Sequence, residues 1–214
     1  MALVYRRQID EKTSFALWKI EETAEELYKQ LQLDDREKEY LETLNNGKRN
    51  LHWLGTRVLL RKMLNTDHYI DMAVDEHGKP YVKNFPHHIS LSHSVDYAAV
   101  MISENRSVGI DIEIIKEKIE RVAKKFLSQE ELGFIDEKNK IAHLYICWCA
   151  KEAVYKLQGK RNVSFLDDIR LYPFDCCTEG VLNAKLLVEG SEKAFTVNYE
   201  QFENYMLGYV ADKI

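Results

Sequence analysis

Two short segments hold the residues best suited to chemistry. Asp111 and Glu113 lie in Val108-Gly109-Ile110-Asp111-Ile112-Glu113; Lys151, Glu152 and Lys156 lie in Trp148-Cys149-Ala150-Lys151-Glu152-Ala153-Val154-Tyr155-Lys156. Carboxylates are hard oxygen ligands of the kind Mg²⁺ takes, alongside waters and phosphate oxygens. Lysines beside them suit the phosphates themselves. Together the five side chains describe a place for Mg²⁺ and phosphate.

Each segment also has an ordinary structural reading. An alternating strand with its acids outward is commonly just half solvated, and Glu152 with Lys156 has the spacing of a surface pair worth about 0.3–0.5 kcal/mol. The helix argues against the surface reading. At about 100° per residue, Ile141, Leu144, Tyr145, Trp148, Glu152 and Lys156 fall on one stripe, so Glu152 continues an apolar face. A carboxylate aimed at a core needs a partner or a metal.

The surrounding elements must position these groups. The patterning predicts a strand over 14–20, and a helix opened by the capping box of Thr23 and Glu26. Helices over 35–44 and 48–64 follow, then strands over 71–75, 81–82, 88–92, 97–103 and 108–113. Further helices are expected over 119–126, 129–136 and 141–157. Ser128 with Glu131 forms another capping box, which makes Glu130 and Glu131 helix-start residues rather than metal ligands. Strands over 169–172, 181–188, 194–202 and 205–211 close the chain as a meander. Runs of helices and runs of strands indicate an α+β class rather than a doubly wound sheet.

The two segments resemble the signature of the phosphopantetheinyl transferases, a Gly-hydrophobic-Asp-hydrophobic-Glu strand followed by a Trp-x-x-Lys-Glu-x-x-x-Lys helix, and both match without a gap. Gly78-Lys79-Pro80 resembles that family's early coenzyme A contact, and Ser90-Leu91-Ser92-His93-Ser94 its Ser-His-Ser strand end. All four occur in the family's order, over residues 14–209. Length and upstream half are similar to the longer, monomeric surfactin-synthetase-activator type.

That resemblance implies two similar α+β halves related by a pseudo-twofold, each a small antiparallel sheet with packed helices. The expected boundary puts residues 1–104 in a coenzyme-binding half and 105–214 in a half bearing the metal and catalytic motifs. It implies an enzyme, a holo-acyl-carrier-protein synthase or 4′-phosphopantetheinyl transferase. Such an enzyme moves the phosphopantetheine arm of coenzyme A to a serine of an apo acyl or peptidyl carrier protein and releases adenosine 3′,5′-bisphosphate. Asp111, Glu113 and Glu152 would hold Mg²⁺, with Mn²⁺ as an alternative. Glu152 would be the base, and Lys156 would steady the phosphates or protonate the leaving group. Lys151 would add charge at the diphosphate; Lys79, Ser92 and His93 would contact the coenzyme's phosphates. For the 3′-phosphate the pattern leaves Arg57, Arg49 and Lys38, of which Arg57 is preferred.

Composition narrows the alternatives. A net charge of −5 over 214 residues argues against general nucleic-acid binding. Charge is uneven, however: residues 114–128 hold five bases against two acids, a patch suited to an acidic partner such as a carrier helix, or simply a solvated face. No apolar run reaches the roughly 20 residues of a membrane span, and the N-terminus lacks a signal-peptide layout, so a cytoplasmic protein without membrane partner is expected. Cys147, Cys149, Cys176 and Cys177 fit neither a zinc ribbon nor a disulfide framework. A non-catalytic coenzyme A or carrier-binding module is the main rival, yet it would not require the three acids. A Mg²⁺-dependent nucleotide hydrolase would want a phosphate-cradling Gly-rich loop that the chain lacks.

Overall fold

In the computed structural model, residues 3–44, 47–188 and 190–213 are described. Two antiparallel sheets lie face to face between two long helices. The first sheet has the order β1(Leu3–Asp10), β2(Thr13–Lys19), β6(Tyr97–Ser103), β5(His88–Ser94). The second runs β7(Arg106–Ile114), β11(Tyr205–Lys213), β10(Ser191–Phe202), β9(Glu179–Val188), β8(Ile169–Leu171). A separate two-stranded ribbon pairs β3(Met72–Val74) with β4(Pro80–Val82). The α+β class is as the sequence indicates.

Connectivity repeats between the sheets. In each, an early strand pairs with the last strand, which pairs in turn with the one before it: β2-β6-β5 in one and β7-β11-β10 in the other. Each sheet also has one long helix on its outer face. α3(Lys48–Met63) buries Leu54, Val58, Leu59 and Met63 in a cluster with Ala16, Trp18, Ala98 and Val100. α5(Lys140–Gln158) buries Leu144, Ile146, Ala150 and Val154 in a cluster with Val197, Met206 and Val210. The inner faces share a third cluster, in which Phe15, Leu17 and Met101 meet Val108, Ile110, Ile112 and Leu207. Each fully buried side chain of this size contributes about 1.5–3 kcal/mol relative to exposure.

Local signals set the helix ends. α1(Ala24–Tyr28) and α4(Gln129–Gly133) begin at the capping boxes read from Thr23–Glu26 and Ser128–Glu131, and α2(Asp35–Thr43) begins at a third, Asp34–Glu37. α5 ends at Gly159, whose φ of +74° is the left-handed conformation glycine adopts without strain. Two expectations are corrected. The segment 119–126 is not an α-helix but two 3₁₀ turns, Glu117–Arg121 and Ala123–Lys125, closed by bonds such as Val122 N–H to Ile119 O. Ile119, Ala123 and Phe126 are still buried, so the apolar spacing served both geometries. Strand β1 was not anticipated, because its exposed, arginine-rich edge position leaves no clean alternation. Among the described residues, no helix is long and apolar enough to cross a membrane.

Candidate active site at the seam of the two sheets

β7 is the edge strand of the second sheet, and α5 lies directly on its backbone. A Cβ at Gly109 would sit 1.9 Å from the Ala153 carbonyl oxygen, and one at Gly208, on β11, would sit 2.6 Å from the backbone of Cys149. Bare backbone at both positions therefore lets the helix approach. That approach brings Glu152 and Lys156 of α5 beside Asp111 and Glu113 of β7.

Lys156 Nζ donates to Asp111 Oδ1 at 2.7 Å and to the Ile110 carbonyl at 3.1 Å. Ser92 Oγ donates to the same Oδ1 at 2.8 Å, and Ser94 Oγ donates to Glu113 Oε2 at 2.8 Å. Asp111 is only 4% exposed, and its other oxygen, Oδ2, is buried without a partner. Burial, reinforced by Asp111 and Glu113 and opposed by Lys156, pushes the Glu152 carboxyl up to about 7. Burial and then Asp111 raise Glu113 as well, against Ser94, Lys118 and Lys156. Lys156 is the one lysine hydrogen-bonded within this group of three carboxylates, and Lys118 acts on Glu113 from outside it. An orphaned buried oxygen and mutually repelling acids are what a divalent cation would relieve, and the all-oxygen donor set suits Mg²⁺. Among the described residues, the side chains are not already closed into a three-ligand cage.

A groove of about 1220 Å³ opens on the α3 side, its wall including Arg36, Tyr40, Arg49, Trp53, Arg57 and His93. Arg57 stacks on Trp53, with Cζ 3.4 Å from the ring centroid, and pairs with Glu37 at 3.6 Å. His93 joins groove to seam, since its neighbours Ser92 and Ser94 hold the acids. One face of its ring is covered by His52, with centroids 4.2 Å apart, while His52 itself is anchored to the Val95 carbonyl at 2.8 Å. Lost solvation on that side, with repulsion from His52 and Lys156, holds the His93 imidazole below its ordinary value. Lys79 is half-buried on the turn between β3 and β4, where Asp75 accepts from its amide; its Nζ donates to the Leu157 carbonyl near the end of α5.

The structure therefore gathers Asp111, Glu113, Glu152, Lys156, Ser92 and His93 at the seam, with Arg57 along the adjoining groove and Lys79 against the end of α5. Lys38 pairs with Asp35 at 3.0 Å on an exposed face. Lys151 is a correction. It is fully buried on a different side of α5, donating to Phe126 O at 2.8 Å, Phe165 O at 2.7 Å and Glu131 at 2.8 Å, so no charge is left for a diphosphate. Consecutive helical residues point about 100° apart, which is why Lys151 cannot share the face of Glu152. Sequence reasoning missed Arg36 and His52, which contact the site only through tertiary packing. It also missed the shared role of Ser90, Ser92 and Ser94, although their alternation was a readable sign of a common face. Burial raises the Cys147 and Cys149 thiols, and neither is suited to nucleophilic work.

Residues 107–210 match the model of the 4′-phosphopantetheinyl transferase superfamily. A 4′-phosphopantetheinyl transferase of Bacillus subtilis is 30% identical over 146 residues, which is 66% of this chain and 63% of that protein. The transferase AcpT of Salmonella typhi is 32% identical over 119 residues, 53% of this chain and 61% of its own length. Sfp of Bacillus subtilis strain 168 is 29% identical over 112 residues, 48% of this chain and 50% of its own. The chain thus covers from half to under two-thirds of the length of these relatives. With the strand of Asp111 and Glu113 and the helix of Glu152 and Lys156 both inside the matched region, residues 107–210 match the 4′-phosphopantetheinyl transferase superfamily, and the chain is similar to its Sfp-like members.

Proposed function

We propose that the chain transfers the 4′-phosphopantetheine arm of coenzyme A to a serine of an apo acyl or peptidyl carrier protein, releasing adenosine 3′,5′-bisphosphate. The observation that carries this reading is the cluster of Asp111, Glu113, Glu152 and Lys156 beside a basic, aromatic-walled groove. Residues 1–104 would supply most coenzyme contacts and residues 105–214 the acid cluster. Arg57 would meet the 3′-phosphate, with Arg36 and Arg49 on the same wall, while Lys79 and His93 would meet the remaining phosphates. Asp111, Glu113 and Glu152 would hold Mg²⁺, or Mn²⁺ in its place. When bound, the ion supplies charge neutralisation at the diphosphate.

In the reaction, the serine oxygen forms a bond to the phosphorus that carries pantetheine. The bond from that phosphorus to the oxygen bridging the two phosphates breaks, and the bisphosphate leaves with the electron pair. Glu152 takes the serine proton, for which a carboxyl near pH 7 is matched. A bound cation lowers that value again, which makes Glu152 a ligand first and a proton acceptor second. Lys156, already 2.7 Å from Asp111, is placed to steady the charge on the leaving oxygen. The carrier would dock on the turns after Glu113, where Lys118, Arg121, Lys124 and Lys125 are exposed. A cytoplasmic monomer without nucleic-acid or membrane partner completes the reading.

The test is incubation with coenzyme A, Mg²⁺ and a panel of apo-carriers, read by intact-protein mass. One phosphopantetheine added to a carrier is the expected result. Coenzyme binding with no gain on any carrier would replace this reading by the non-catalytic binding module.

A further inference from the structure

β5 and β7 run beside one another but belong to different sheets. They are stitched by side chains. Ser90, Ser92 and Ser94 alternate along β5 and share one face, and their Oγ atoms accept the backbone N–H groups of Ile110, Ile112 and Ile114 at 3.0, 3.3 and 3.1 Å. A serine hydroxyl has one hydrogen to give as well as lone pairs to receive. Ser92 gives its hydrogen to Asp111 and Ser94 gives its to Glu113, both at 2.8 Å. Each serine thus grips the amide of one β7 residue and looks toward the side chain of the residue before it. At Ser90 that preceding residue is Gly109, which has no acid to hold.

We propose that Ser92 and Ser94 are positioning residues for the cation site, their hydroxyls anchored on the amides of Ile112 and Ile114 so that Asp111 and Glu113 are preset for a divalent ion. The inference rests on the reading of Asp111, Glu113 and Glu152 as cation ligands. It assigns the Ser92 hydroxyl to Asp111 rather than to a coenzyme phosphate. Because the amide bonds fix each oxygen, the hydrogens have one direction left, and the carboxylates are held by the opposite half of the molecule. The same contacts make the first half a participant in ion binding although the ligands all come from the second.

The experiment uses Mn²⁺ alone, titrated into the full chain without coenzyme A and followed by electron paramagnetic resonance. Ser92→Ala and Ser94→Ala should each weaken Mn²⁺ binding about 10- to 100-fold, the range for removing an outer-shell partner of a ligand. Ser90→Ala removes an equivalent amide contact but no carboxylate contact, so it should lower the melting temperature comparably and leave Mn²⁺ affinity as in the wild type. Either Ser92→Ala or Ser94→Ala suffices if the other fails to fold. Wild-type binding of Mn²⁺ with undiminished affinity in the folded Ser92 or Ser94 variant overturns this inference and leaves the cation reading intact. A wild-type chain that binds no Mn²⁺ overturns the cation reading, and this inference with it.

Discussion

Lys151 and Glu152 are consecutive on α5, and their surroundings are opposites. Around Lys151 the polar groups are matched: its ammonium meets two carbonyls and Glu131, whose other bonds reach the amides of Ser128 and Leu171. Around Glu152 they are mismatched, with three carboxylates around one hydrogen-bonded lysine and an Asp111 oxygen buried alone. Buried polar groups are ordinarily satisfied. The matched cluster ties the 3₁₀ turns, α4, the loop at Phe165 and β8 to the helix, and so serves the fold. The mismatched one is a stability cost, which the proposed cation would relieve.

That contrast can be broken most sharply from the seam side. Asp111→Ala or Glu152→Ala should lower carrier modification by about 10³-fold or more, and Glu152→Ala should melt no lower than the wild type. Normal turnover in either variant, read by intact mass, would remove the cation site from the mechanism. Lys151→Ala should do the reverse, costing about 3–5 kcal/mol because Glu131 is left buried and unpaired. Urea denaturation measures this, and a loss below ~1 kcal/mol would mean that the cluster is not structural.

A pH series sharpens the comparison. The folded-state value for Glu152 lies near 7, above the 4.5 of an ordinary Glu, so folding favours its protonated form. In metal-free protein the associated stability is present below about 4.5 and lost as pH rises through about 7. Glu152→Gln mimics the protonated side chain. With EDTA present it should melt above the wild type at pH 8, and the gap should close by pH 5. A gap independent of pH would show that the acids do not repel one another. Smallest is the effect at the docking turns: Arg121→Glu with Lys124→Glu should raise the carrier KM severalfold and spare coenzyme affinity, with added salt shrinking the difference between variant and wild type. Unchanged carrier kinetics would move the docking surface elsewhere.

Much of this was legible in the chain. The helix over 141–157 and the strand over 108–113 lie within α5 and β7, and the capping boxes at Thr23 and Ser128 start helices where their side chains dictate. Proximity of Asp111 to Glu152 was not written in local pattern; it came from family resemblance. Lys151 shows the limit of such transfer, because a motif position says which residue occurs and not which way it faces. Ser90, Ser92 and Ser94 show another limit: alternation reveals a shared face, but what covers that face depends on a strand about twenty residues away in a different sheet. His52 and Arg36 enter through α3 and the start of α2, where nothing in their own periodicity marks them.

Gly109 and Gly208 lie beneath Ala153 and Cys149, one helical turn apart, so α5 rests on two bare footings. The helix is a ruler laid against the sheet, and its stand-off distance sets the span between Glu152 and Asp111. A single methyl group at either footing would act as a shim, lifting one arm of the proposed ion site away from the other without touching any acid. Substitutions at these two positions would therefore detune ion binding from beneath the helix, even in a protein that still folds.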